Sequence, residues 1–253
     1  MLLLTFALIA AAAFICEYVD SSLGMGYGTT LAPMLMLAGF QPLVIVPAIL
    51  LSEFLTGLGA AMFHHKLKNV NLRRGTQHFK TAMMLSICSV IGVIAAVFVA
   101  LNIPSLVLKG YIGLLVLSMG LIMLVNAKKI FRFSYKKIVF LGGVAAFNKG
   151  MSGGGYGPVT TGGQILAGVE SKAAIGITSL AEGITCLVGI LLYFVLGQTV
   201  DWSLAPALVT GAMISVPLAA YSVKKIGGIN LKLVIGVVTL LLGAMTLANL
   251  LLA

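Results

Sequence analysis

Four ionisable side chains stand where an apolar chain has no cheap place for them: Asp20, Glu53, Lys149 and Glu182. A charge at the centre of a bilayer costs on the order of 3 kcal/mol, so such residues pair or take part in function. Glu53 and Glu182 fall in mid-segment, and each has a threonine three residues on, Thr56 and Thr185, sharing its helix face. A carboxyl at that depth can hold a proton, donate it to an anion or carry it across. The plainer role is a hydrogen bond between helices. Lys149 either attracts an anion or pairs with Asp20, its counterpart in the other half of the chain. Glu17 is a weaker candidate of the same kind.

Beside these charges lie two glycine-rich stretches, DSSLGMGYGTTLAPMLMLAGF from Asp20 to Phe40 and FNKGMSGGGYGPVTTGGQILAG from Phe147 to Gly168. Irregular backbone at membrane depth persists only where it is buried in protein or lines a cavity. A helix starting just after each stretch, at Thr29 or Val159, turns its N-terminus inward. That end carries unpaired N–H groups and about half a positive charge. Glycine lets a ligand approach the backbone unobstructed. The expected anion site is therefore Gly24, Gly26, Tyr27, Gly28, Thr29, Asn148, Lys149, Ser152, Gly153, Gly154, Gly155, Tyr156 and Gly157. Glu53, Glu182 and Asp20 are assigned to proton coupling or gating. Tyr27 and Tyr156 either offer hydroxyls to the ligand, plug its path or sit in the core. Close helix packing is the plainer use of the glycines.

The elements that position these groups follow from composition. The 253 residues are 60% hydrophobic and 9% charged, outside the range of water-soluble domains. The fold class is an all-α polytopic membrane protein. Full-length apolar runs cover 42–63, 81–101, 105–127, 173–196, 204–221 and 231–252, each near the ~20 residues a bilayer needs. Shorter segments, 1–19 with 29–38 and 137–147 with 159–167, form two pairs, each interrupted by a glycine stretch. Segment 1–13 has no basic region before it, unlike a signal peptide.

The net charge of +10 sits in short connectors, as membrane topology demands, and forms no basic face for nucleic acid. Lys66, Lys68, Arg73, Arg74 and Lys80 follow one run, Lys128, Lys129, Arg132, Lys136 and Lys137 another, and Lys224, Lys225 and Lys232 a third. These three connectors are expected in the cytoplasm, and 102–105 and 197–203 outside. Phe40 then lies outside, Glu170 and Lys172 inside, and both termini outside. His64, His65 and His78 are expected to be solvated. Cys16, Cys88 and Cys186 lie in apolar runs at no metal spacing, so no metal or cofactor is called for.

The halves repeat. At an offset of 129, Gly24, Gly26, Tyr27 and Gly28 fall on Gly153, Gly155, Tyr156 and Gly157, and Glu53 and Thr56 on Glu182 and Thr185. At an offset of 123, Lys109, Gly113, Gly120 and Asn126 fall on Lys232, Gly236, Gly243 and Asn249. The expected units are 1–127 and 128–253. Each holds one broken or re-entrant helix pair and three full spans. Their opposed orientation is the inverted repeat of alternating-access transporters.

Two readings from other classes are weaker. GYG occurs twice and suggests a cation filter, but inverted copies do not point around one axis, and Lys149 repels cations. GMSGG at 150–154 has the serine-elbow spacing without a strand-to-helix context, and no histidine lies in a span to serve as base.

GMGYGTTLAP with MLMLAGF, and SGGGYGPVTTGGQILAG with KAAIGITSLAEG, resemble the paired motifs of the TauE/SafE sulfite-exporter family, also called the 4-toluene sulfonate uptake permease family. The resemblance covers nearly the whole chain. It implies an inner-membrane transporter of sulfite, thiosulfate or organosulfonates that binds its substrate at the two loops. It leaves coupling to protons, the direction of transport and assembly as a homo-oligomer open. The first loop has Thr29 at the place of Pro158, so the two halves of the site are expected to differ in shape. A negative interior expels anions, by roughly 2.3 kcal/mol per charge per 100 mV, which favours export.

Overall fold

The computed structural model describes residues 2–40, 42–100, 105–126, 128, 132–152, 156–197, 199–226 and 228–251. Among these the chain is helical, without a strand: α1 (Leu2–Leu23), α2 (Tyr27–Leu37), α3 (Pro42–Lys66), α4 (Gln77–Ala100), α5 (Ser105–Val125), α6 (Tyr135–Ser152), α7 (Tyr156–Leu166), α8 (Ser171–Val195), α9 (Ala205–Lys225) and α10 (Gly228–Leu251).

The outside is apolar and the inside is not. Ile91, Leu114, Phe140 and Val195 are exposed, while Ser52, Ser89, Thr161, Thr178 and Ser215 are wholly buried. Water would penalise that surface, whereas lipid suits it. Five helices among the described residues are long and apolar enough to cross a bilayer: Leu3–Leu23, Val44–Lys66, Gln77–Ile94, Ser171–Val195 and Ala205–Lys225.

The glycine interruptions are shorter than the sequence suggests. Helix α1 runs through Asp20 to Leu23, and α6 runs through Asn148 and Lys149 to Ser152. Helices α2 and α7 begin earlier than expected, at Tyr27 and Tyr156 rather than Thr29 and Val159. A helix satisfies its own backbone groups, so in a dry interior it extends until the sequence stops it. Gly24 and Gly26 do so for α1, with φ of +73° and +125° that other residues adopt only under strain. The first segment, expected to be short, is thus one of the five full-length helices. With 11 residues each, α2 and α7 are too short to span.

Helices α1 and α9 pack along each other, as do α4 and α6, α3 and α8, and α5 and α10. Small residues set these contacts. Gly57 of α3 lies on the Ser179 carbonyl and the Gly183 backbone of α8, and Gly183 faces the Phe54 carbonyl in return. Gly120 of α5 lies on the backbone of Leu240, and Gly243 of α10 on that of Leu117. Such close approach replaces the hydrophobic drive that lipid does not supply.

A methyl group at Gly120 meets the backbone of α10, whereas one at Gly143 of α6 meets nothing within 4 Å. Overpacking typically costs about 1–3 kcal/mol. Gly120→Ala should lower the thermal unfolding midpoint of detergent-purified protein. Gly143→Ala should leave it unchanged or raise it, because alanine favours helix over glycine.

Candidate functional site

The α3–α8 crossing decides where the carboxyls go. With backbones touching at Gly57 and Gly183, Glu53, one turn before Gly57, and Glu182, next to Gly183, reach the same point. Lys149 arrives from the last turn of α6. Its Nζ donates to Glu53 Oε2 at 2.6 Å and to Glu182 Oε1 at 2.9 Å. All three side chains are buried, at 8% exposure or less. Cys186 Sγ adds a weak donor to Glu53 Oε2 at 3.4 Å. An ammonium shared between two carboxylates satisfies the geometric condition for buried charge, since each ion has a short, hydrogen-bonded partner.

A second acidic pair adjoins this triad. Glu17, Asp20, Glu53 and Glu182 line one cavity with Thr56, Gly57, Ala60 and Ser179. Asp20 Oδ1 accepts the N–H of Tyr27 at 3.1 Å, at the N-terminus of α2 where a negative charge is favoured. Glu17 accepts from Ser21 Oγ at 2.6 Å and from Thr56 Oγ1 at 3.1 Å. Four of the chain's six acidic residues therefore meet around one lysine. The cavity is about 10 Å3, the threshold for a single water, so this arrangement is shut around its charges.

The expected pairing of Lys149 with Asp20 does not form. Asp20 is occupied by the α2 N-terminus, and Lys149 turns to the two glutamates instead. Tyr27 and Tyr156 are both buried, and both hydroxyls are hydrogen-bonded. The first is bonded to Ser52 Oγ and the second to Ser89 Oγ, each at 2.8 Å. The first glycine turn does meet the start of α7. Thr161 Oγ1 donates to the Gly24 carbonyl at 2.8 Å, and a side chain on Gly157 would strike Gly24 and Met25. The contact there is close packing, with Gly28 buried beside it. Gly153, Gly154 and Gly155 lie outside the described residues, as do the side chains of Thr29, Asn148 and Ser152.

Two residues are more deeply placed than their sequence context suggests. His64, expected to be solvated, is fully buried. Its Nε2 bonds the Ser21 carbonyl at 2.9 Å, and its Nδ1 is met by Asn69 Nδ2 at 3.0 Å. Glu17 joins the central cluster although it was the weakest acidic candidate. The available signal was its spacing from Asp20, one helical turn, which puts both on the same face of α1.

The model of the family described as "Sulfite exporter TauE/SafE" matches residues 8–246. The chain belongs to the TauE/SafE family. It is also 29% identical over 263 residues to "Probable membrane transporter protein YtnM" of Bacillus subtilis (strain 168), covering 98% of this chain and 83% of that protein. Like its family, this chain is a membrane transporter and not an enzyme.

Removing one member of a buried pair costs about 3–5 kcal/mol, because the other charge loses its partner. Lys149→Met leaves Glu53 and Glu182 facing each other and should lower the unfolding midpoint sharply at neutral pH. Adding Glu53→Gln and Glu182→Gln to that variant should restore much of the loss, as should acidifying the single variant.

Proposed function

We propose that this TauE/SafE chain exports a small sulfur-containing anion (sulfite, thiosulfate or an organosulfonate) across the inner membrane by alternating access. The observation that carries the reading is Lys149 held between Glu53 and Glu182 at the α3–α8 crossing. When protons occupy the two glutamates, the ammonium loses its internal partners and is free for an anion. When the anion leaves, the glutamates reclaim it. Carboxylates and anion thereby compete for one lysine, so proton and anion favour each other's binding, which gives coupling without a separate device. The glycine turns at Gly24–Gly28 and Gly153–Gly157, with Thr29, Asn148 and Ser152, supply backbone and hydroxyl donors around that point when the cavity opens.

The moving parts are two inverted repeats, 1–127 and 128–253. Their packing supports this: α1 on α9 answers α6 on α4, while α3 on α8 and α5 on α10 each pair a helix with its own counterpart. A two-fold axis in the membrane plane exchanges partners in this way. The charge of the connectors puts both termini outside. The membrane potential then drives a monovalent anion outward, whereas import needs protons in excess of the anion's charge. The sulfur chemistry of the cargo comes from the family's description.

The test is efflux of sulfite from proteoliposomes at a series of internal pH values. Wild-type protein should show a pH-dependent rate, and Glu182→Gln should transport with a flat profile. A variant that keeps the wild-type profile would remove Glu182 from the coupling role. Absence of sulfite, thiosulfate and sulfonate flux in the wild type would remove the cargo assignment.

A further inference from the structure

The connector between α3 and α4 is built rather than slack. The Leu72 and Asn71 N–H groups donate to Nδ1 of His65 and His78, at 3.2 and 3.1 Å. The Arg73 N–H donates to Asn71 Oδ1 at 3.2 Å, and Thr76 Oγ1 donates to the carbonyls of Asn71 and Arg73, both at 2.8 Å. Asn69 Nδ2 fixes the floor through the Ala220 carbonyl at 2.8 Å and His64. Val70 packs on Gly176 of α8. Membrane topology asks only that this connector be positive; it does not ask for a shape.

The shape it takes is a cup. A cavity of about 540 Å3 is lined by His65, Lys66, Lys68, Arg73, His78 and Glu170, with Asn69 below. Its size is that of small-molecule sites. Three fixed positive charges face one carboxylate. With Nδ1 of His78 accepting the Asn71 N–H, the hydrogen of its neutral imidazole is on Nε2, available as a donor, whereas Nδ1 of His65 meets both the Leu72 N–H and the Val70 carbonyl, each at 3.2 Å. The N-terminal end of α8, immediately after Glu170, adds partial positive charge.

We propose that this cup binds a doubly charged tetrahedral oxyanion, a phosphoryl or sulfuryl group carried either by a soluble molecule or by a lipid headgroup. The site is separate from the central triad and stands whether or not the export reading holds. Arg73 and Lys68 act as the cationic clamp, the His78 imidazole donates beside them, and Glu170 is the internal competitor that keeps the cup's affinity moderate. Because His64 and Asn69 tie the floor to the carbonyls of Ser21 in α1 and Ala220 in α9, occupancy bears on the junction of α1, α3 and α9.

The experiment titrates full-length protein in neutral detergent with sodium phosphate, then sodium sulfate, against sodium chloride at matched ionic strength. Binding is followed by calorimetry. A parallel arm uses phosphatidylcholine nanodiscs with and without dioleoyl phosphatidic acid. Arg73→Gln should weaken phosphate binding about thirtyfold, the effect of one unit charge on a doubly charged anion at 4 Å in water. Glu170→Gln should tighten it by a similar factor. Both side chains are exposed, so neither change threatens the fold. Phosphate binding blocked by phosphatidic acid assigns the site to a headgroup, and binding indifferent to it assigns a soluble anion. The proposal falls if phosphate, sulfate and phosphatidic acid bind no better than chloride. It also falls if both variants behave as wild type, or if the triple variant Lys149→Met, Glu53→Gln, Glu182→Gln, in which no charge at the centre is left unpaired, abolishes binding and so moves the anion there.

Discussion

One ammonium group between two carboxylates organises this molecule. Lys149 can lie in the interior only because Glu53 and Glu182 meet it at hydrogen-bonding distance. Those glutamates converge only because Gly57 and Gly183 let α3 and α8 touch. A larger residue at the crossing would separate the helices and leave three charged groups without partners. Packing and electrostatics are therefore a single constraint here, expressed once as a glycine contact and once as an ion triad.

The surplus of negative groups gives that constraint a functional meaning. Glu17 and Asp20 share the cavity with the triad, so four carboxyls face one lysine in surroundings that favour neutrality. Such a cluster holds its composition only by binding protons, by admitting solvent or by moving apart. The cavity beside the cluster is at the limit of one water.

Much of this was legible in the sequence, for reasons that also explain the misses. Comparing the halves picked out Glu53 and Glu182 because they match at the offset of 129. The same comparison hid Glu17, whose counterpart at that offset is Ala146. Pairing Asp20 with Lys149, one of two readings of the lysine, followed from their matching positions in the two halves. In the fold α1 and α6 continue as helices, and helix geometry sends the two side chains to different partners. His64 looked solvated because it borders a basic connector, and only the tertiary fold reveals the Ser21 carbonyl that draws it inward. The apolar spans were readable because lipid leaves few alternatives to helix, whereas the ends of the short helices depend on neighbours that a linear pattern does not name.

The matched tyrosines lead to a last consequence. Tyr27 on α2 is fastened to α3, its next neighbour along the chain, whereas Tyr156 on α7 is fastened both to Ser89 of α4, from the opposite half, and to Thr185 of α8, its own next neighbour. The two phenols stand at matching positions in the sequence, and one holds a single seam while the other holds two. Parting α2 from α3 breaks a tie within one half, while parting α7 from α4 breaks a tie between halves. Tyr156 therefore ties α7 on two sides where Tyr27 ties α2 on one.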